Sequence, residues 1–329
     1  MSQTPPRSIR SGVAARRLNA ARNGLYYLSI IGMVVCAVLS ALTFVEVDNA
    51  LLLGAIPLAP WLFLASAVVF AGLQNKVLLV AITIAAVGVV TVASPGSASP
   101  SAECSVARNN SGGTVLYSHN VLFGTADPEL VVAQAADAGA DIILFQEATA
   151  DFIERVSPLL DRHPHVVIDG YQAVFSRHEV SSNGRSFGST DVLGLLDTTI
   201  EAPEGELRLI NVHATPPHIP DGRDTQIEQF AFLADALDVD NSSIPTIAMG
   251  DFNATPFDTR YRSLVDDDVT DAHDAVGCGL GVTWSPTAGL GPALLGLDHA
   301  LTTGVEVEAF EIYDYAKSDH KGIAVLVQP

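Results

Sequence analysis

The run Gly250-Asp251-Phe252-Asn253 closes an apolar segment, Ile244 to Met249, that reads as a strand. An acid and an amide two positions apart at a strand end point to the same side, because strand side chains alternate faces. Such a pair can hold a water or a phosphate oxygen beside a metal ion. Gly-Asp alone is also an ordinary turn, so the weight of the run comes from its company. Upstream stand Ser118-His119-Asn120, Phe145-Gln146-Glu147 and Asn211-Val212-His213; downstream stand Leu297-Asp298-His299 and Ser318-Asp319-His320. Each lies at or near the end of a strand-like run. The chemistry this set suits is hydrolysis of a phosphate ester. A water must attack in line, the charge on the phosphoryl oxygens must be offset, and the leaving oxygen must be stabilised. A divalent ion meets the last two needs. Mg²⁺ takes oxygen ligands and keeps several waters, so one or two carboxylates and an amide are enough to hold it.

The elements that must position these residues follow from the apolar pattern. Strands are expected at 114–120, 141–147, 165–168, 172–175, 192–201, 206–213, 244–250, 297–302, 305–312 and 322–327. Helices are expected at 127–139, with Pro128 in the first turn, at 151–160 and at 224–237. Many strands with few helices imply an α+β or layered α/β domain.

On these motifs, in this order, the region from Thr114 to Val327 resembles the endonuclease/exonuclease/phosphatase superfamily. These are metal-dependent phosphoesterases that include DNase I, exonuclease III, sphingomyelinases and inositol polyphosphate 5-phosphatases. The resemblance implies a four-layer α-β-β-α sandwich with its site where motif-bearing strand ends meet. It implies Mg²⁺ as cofactor, with Mn²⁺ or Ca²⁺ as alternatives. Glu147 matches the principal metal ligand, and a carboxylate ending an apolar strand is costly without a partner. Asn120 matches an Asn that contacts metal or phosphate; Leu122 stands where some members carry a second polar group. Asp251 matches the residue that orients or deprotonates water, and Asn253 the one that positions phosphate. His213 is expected to act as an imidazolium donating to the phosphoryl group. Asp319 would help hold the metal. His320 would serve as acid/base or phosphate contact with Asp298 as its carboxylate partner, a pairing that raises an imidazole and fixes its tautomer. The choice of base between Asp251 and His320 stays open. Thr283-Trp284 and Ser176-Arg177 resemble further family segments, while His119 and His299 carry no assigned role.

The N-terminal third differs in kind. Three uncharged apolar stretches, 25–45, 51–73 and 77–93, approach the length of a membrane crossing. Five Arg and no acid precede Leu25, Glu46 and Asp48 follow the first stretch, and Lys76 follows the second. The positive-inside rule then puts residues 1–24 in the cytoplasm and the rest of the chain, past a Ser/Gly/Pro-rich linker at 94–113, outside the membrane. The expected organisation is a basic N-terminus, three transmembrane helices at 25–93, the linker, and the catalytic domain at 114–329. Cys36 lies in an apolar stretch; Cys104 and Cys278 can form a disulfide outside the cytoplasm or remain two thiols.

After position 95 the chain carries 11 basic and 35 acidic residues, a net charge of -24. Nucleic-acid binders usually show the opposite balance, so DNA is the disfavoured substrate. A phosphorylated compound at the membrane surface fits better. Three spans before such a domain also resemble a membrane-anchored bacterial branch thought to act on undecaprenyl pyrophosphate, a lipid-linked substrate. The competing activity is an extracytoplasmic nuclease. A non-catalytic binding module would have lost some of the site residues, and a transporter would carry intramembrane charges; neither pattern is present in the sequence.

Overall fold

Thr114–Asn120 forms β1, buried along its whole length. Val115 and Tyr117 pack to one side of it and Leu116 to the other, as expected of a strand covered on both faces. The computed structural model describes residues 7–42, 52, 55–74, 104–106, 112–181, 185–187, 192–238 and 243–328. They fall into two compact units, one built from the N-terminal helices and one holding every described residue from 104 onward.

In the N-terminal unit, α1 (Arg7–Leu42) and α2 (Ala59–Gln74) pack together. A Cβ on Gly32 would lie 2.2 Å from Ser66 Oγ, so the helices approach through a small residue. The expectation of three membrane spans is corrected here. Among the described residues, only Asn19–Leu42 is long and apolar enough to cross a membrane. The second stretch opens with a 3₁₀ turn at Ile56–Leu58 that contains Pro57. The helix proper begins at Ala59 and its 16 residues span only about 24 Å, against ~30 Å of hydrocarbon. The third stretch, most of the linker, and Glu46, Asp48 and Lys76 lie outside the described residues. What stands is one apolar helix suited to a membrane anchor or a signal sequence.

The second unit is an α/β sandwich. After β1 come α3 (Pro128–Ala138), β2 (Ile142–Gln146), α4 (Ala150–Val156), β3 (His165–Asp169), β4 (Gln172–Ser176), β5 (Arg185–Phe187), β6 (Gly194–Ala202) and β7 (Gly205–His213). There follow α5 (Gly222–Leu237), β8 (Thr246–Asp251), α6 (Thr259–Arg262), β9 (Thr270–Asp271), α7 (Ala272–Val276), β10 (Asp298–Thr303), β11 (Glu306–Ile312) and β12 (Ile323–Gln328). One mixed sheet runs β11-β12-β1-β2-β4-β3, the other β5-β6-β7-β8-β10-β9. Their facing sides share a core that includes Leu116, Leu144, Val174, Leu209, Ile247 and Met249. Helices α3 and α4 cover the outer side of the first sheet through Val131, Ala135, Phe152 and Val156. Helices α5 and α6 cover the second through Phe230, Leu233, Leu237 and Tyr261. Cys104 and Cys278 form a disulfide that closes 174 residues of chain.

Pairing register carries the motif residues to one end of the sandwich. His213 and Asp298 each stand opposite Asp251 across the β7–β8 and β8–β10 ladders. Asn120 stands opposite Gln146, the residue before Glu147. Gly250 lets the sheets close over this end: at φ +143° its Cβ would lie 2.2 Å from Val212 O and 2.9 Å from Gln146 Nε2, a conformation and a spacing open only to glycine.

Candidate active site

The floor of the site is an inter-sheet clamp. Asn211 on β7 donates through Nδ2 to Phe145 O (3.0 Å) and Ala173 O (3.3 Å) in the other sheet. Its Oδ1 accepts from Gln146 Nε2 at 2.6 Å, which also donates to Ser118 Oγ at 3.0 Å. Every partner is buried, so the bonds fix how the sheets meet and not merely that they meet. Glu147 and His213, the neighbours of the clamp residues, are thereby set opposite each other, with His213 Nε2 3.6 Å from Glu147 Oε1. The sequence marked Gln146 and Asn211 only as companions of motif residues. Their amides beside a catalytic-type acid and imidazole were the available signal.

Glu147 and Asn253 both adopt left-handed backbone, φ 56° and 47°, a conformation that non-glycine residues seldom hold without support. Asp251 supplies that support to Asn253, accepting from its N–H at Oδ1 (2.8 Å) and from its Nδ2 at Oδ2 (3.2 Å). Asn253 Nδ2 also donates to Ala214 O at 2.9 Å. Phe123 N–H donates to Glu147 Oε2 at 2.9 Å. Asn120 accepts from Leu122 N–H through Oδ1 (3.0 Å) and donates Nδ2 to Glu147 Oε1 and Asp251 Oδ2, both at 3.1 Å. Asn120 thus points its amide donor at the two carboxylates and its oxygen at the backbone of Leu122.

His320 Nδ1 donates to Asp298 Oδ2 at 2.8 Å, and its Nε2 lies 3.7 Å from Asp251 Oδ2. Thr283 Oγ1 holds Asp298 by accepting from its N–H at 3.2 Å. Ser318 Oγ donates to Asn120 O at 2.7 Å and accepts from His320 N–H at 3.1 Å. Trp284 Nε1 donates to Asp319 Oδ2 at 3.0 Å. Trp284 is thus a partner of the site. His119 Nε2 donates to His320 O at 3.1 Å. His299 turns to the other side of β10, with Nε2 3.0 Å from Ala254 O.

Burial and charge set the protonation states. Burial raises the Asp251 carboxyl to about 7, with Asp298 and Glu147 adding repulsion and His320 opposing it. Burial raises Glu147 too, against hydrogen bonds from Asn120 and Phe123 and with nearby Asp319 adding repulsion. Burial alone would lower His320, but Asp298, Asp251 and Asp319 outweigh it and hold the ring up at about 10. Burial lowers His213 to about 4, helped by the charge on His320. Its Nδ1 donates to Val192 O at 2.8 Å, so Nε2 carries a lone pair. The imidazolium expected at His213 is replaced by a neutral ring.

Four carboxylates, Glu147, Asp251, Asp298 and Asp319, thus converge around one imidazolium. That excess of buried negative charge and its oxygen donors fit a hard divalent cation. Asp251, Asp298 and His320 bring their ligand atoms within 4.8 Å of one another; with His320 charged, the oxygen donors of this group are Asp251 and Asp298.

Comparison with known proteins places the fold. The model of the Endonuclease/Exonuclease/phosphatase family matches residues 117–320. None of the curated proteins is similar in sequence. An endonuclease/exonuclease/phosphatase from Beutenbergia cavernae shares the fold at TM-score 0.52 and 18% identity, over 65% of this chain and 71% of that one. TDP2 from D. rerio, in complex with a single-strand DNA product, aligns at TM-score 0.53 and 12% identity, over 66% and 100%. The beta toxin of Staphylococcus aureus aligns at TM-score 0.50 and 17% identity, over 64% and 99%.

Proposed function

Because the chain belongs to the endonuclease/exonuclease/phosphatase family, whose members hydrolyse phosphate esters, we propose that it is a divalent-metal-dependent phosphoesterase working at a membrane surface. The observation that carries this reading is the convergence of four carboxylates and a charged imidazole at strand ends of both sheets. Glu147 and Asp319 would hold the ion, Mg²⁺ by donor type, since a protonated His320 has no lone pair to give. When bound, the ion offsets charge on the phosphoryl and leaving oxygens. Asn120 orients Glu147 and Asp251 through its two donated hydrogen bonds.

Asp251 is the base. Its raised carboxyl ionises near neutrality, where it accepts a proton from the attacking water most effectively. Neutral His213 accepts a hydrogen bond from the same water, so that its two protons are directed at two acceptors. His320 donates a hydrogen bond from Nε2 to a phosphoryl or leaving oxygen, and its Asp298 contact keeps the ring charged. Asn253 fixes Asp251 and faces the phosphate.

The substrate reading is a phosphate or pyrophosphate on an apolar carrier, of which a polyprenyl pyrophosphate such as undecaprenyl pyrophosphate is the test case. The domain charge of -24 repels a polyanion. The apolar helix Asn19–Leu42 supports attachment to a membrane. The Cys104–Cys278 disulfide supports an oxidising, extracytoplasmic location. A nuclease is the second reading, favoured by the fold shared with a TDP2 that holds a DNA product. The test uses the full chain in lipid nanodiscs, with Mg²⁺ or EDTA, assayed for phosphate release from a polyprenyl pyrophosphate and for plasmid nicking. Metal-dependent phosphate release that is lost in Asp251→Ala is expected. Nicking without phosphate release makes the protein a nuclease, and neither activity refutes both readings.

A further inference from the structure

Two turns converge on Glu147, one leaving Phe123 exposed and the other Tyr171 half-buried beside it. Leu122 and Phe123 both have positive φ, 49° and 46°, which bulky side chains adopt only under constraint. The constraint is visible: their N–H groups are spent on Asn120 and Glu147. The Phe123 ring is left 53% exposed. The β3–β4 hairpin turns through Gly170-Tyr171, and Ala148 N–H donates to Tyr171 O at 2.8 Å. This seats the hairpin tip beside the same Glu147, with the Tyr171 ring edge-on to Phe123 at 6.2 Å.

The apolar surface continues away from the site. Val166 and Ile168, 44% and 50% exposed, lie on the edge strand β3. They pair with Phe175 and Ala173, which belong to the helix-side core. Gly124, next to Phe123, packs on Thr149 and Phe152 of that side. Single exposed apolar residues are ordinary, but here they form a row along one strand that ends at the candidate metal ligand. From Val166 to the end of β3 at Asp169 the row is about 10 Å long at strand rise, and the turn carries it on to Tyr171.

We infer that Val166, Ile168, Tyr171 and Phe123 form a track for the hydrocarbon portion of an amphiphilic phosphate ester, its phosphate lying at Glu147. This rests on the phosphoesterase reading and specifies its substrate class. A hydrocarbon chain gains from apolar contact and meets no repulsion from the acidic domain. A polynucleotide would meet that repulsion at every phosphate.

The test is a series of alkyl phosphates and alkyl pyrophosphates of one to six carbons, with the full chain in nanodiscs and empty nanodiscs subtracted. kcat/KM is expected to rise up to about fourfold per methylene. The double variant Ile168→Ser/Tyr171→Ser is expected to flatten that slope. Its thermal midpoint, compared with the parent chain, checks folding. Titration calorimetry of hexyl against methyl phosphate reads the track without turnover. Tighter hexyl binding that is lost in the variant upholds the track even if no substrate is cleaved, in which case the phosphoesterase reading alone fails. Equal affinity for hexyl and methyl phosphate, or a slope unchanged in the variant, overturns the track.

Discussion

His213 and His320 stand on two sides of Asp251, 3.8 and 3.7 Å from the same carboxylate oxygen, and both rings are buried. Burial and the distance to Asp251 are nearly equal for the two, yet His213 is lowered to about 4 and His320 raised to about 10. The difference lies at the far nitrogen. His213 Nδ1 donates to the neutral carbonyl of Val192, whereas His320 Nδ1 donates to the carboxylate of Asp298. A buried imidazole keeps a proton when a charge answers it on the other side and sheds it when only a dipole does. One site thereby holds an acid and a neutral acceptor of the same residue type.

The change with the largest expected effect removes what the two rings share. Asp251→Asn is expected to lower kcat at least about 10³-fold, within the range of a lost general base. It is also expected to stabilise the fold. The folded carboxyl ionises at about 7 against an ordinary 3.8, so the unfolded chain loses its proton first and stability falls as pH rises between those values. The amide removes that cost, and the thermal midpoint above pH 7 should rise by at least about 2 °C. Wild-type activity correspondingly rises with pH as Asp251 ionises, on an acidic limb at or below about 7, and Mg²⁺ moves that limb to lower pH.

Asp298→Asn sharpens the contrast by giving His320 a neutral partner like that of His213. The ring should lose its proton at a lower pH, so the basic limb of kcat should move from about 10 toward neutrality. Activity at pH 8 should fall about 10–10²-fold, with a smaller loss at pH 6. Equal losses at both pH values would mean that Asp298 does not set the charge.

Asn211→Ala tests whether the rings need the clamp. It removes the Gln146 Nε2 bond to Oδ1 and the Nδ2 bonds to two carbonyls of the other sheet, leaving Gln146 only its bond to Ser118, which costs about 2–3 kcal/mol in denaturant unfolding. A loss of about tenfold in kcat should accompany it, as Glu147 and His213 lose their shared register. The smallest effect belongs to His213→Gln. No charge is removed and an amide oxygen can still accept, so a loss below about tenfold is expected. A loss as large as that of Asp251→Asn would make His213 the base.

Much of the site was legible in the sequence because Asn120, Glu147, His213 and Asp251 lie at or next to the ends of strands, and a strand end shows as an apolar run that stops at a polar pair. The pairing of Asp298 with His320 came from the family resemblance, and the bounds of β1, β2, β7 and β8 fall within two residues of expectation. The missed elements are short: β5, α6, β9 and α7 have five residues or fewer, too few for a period to emerge. Charge at His213 was not legible, because it depends on a carbonyl at Val192 that is remote in sequence. The direction of the Asn120 amide likewise depends on an unusual backbone at Leu122. In the N-terminal third, hydropathy read three spans where Pro57 leaves the second helix short.

The most direct measurement is the protonation of the two rings, read by ¹⁵N–¹H correlation on the full chain between pH 5 and 9 and assigned with His213→Gln and His320→Gln. His320 should carry protons on both nitrogens throughout, and His213 should carry one, on Nδ1, throughout. Two rings that titrate together near pH 6.5, or a charged His213 beside a neutral His320, would contradict the assignment of acid and base.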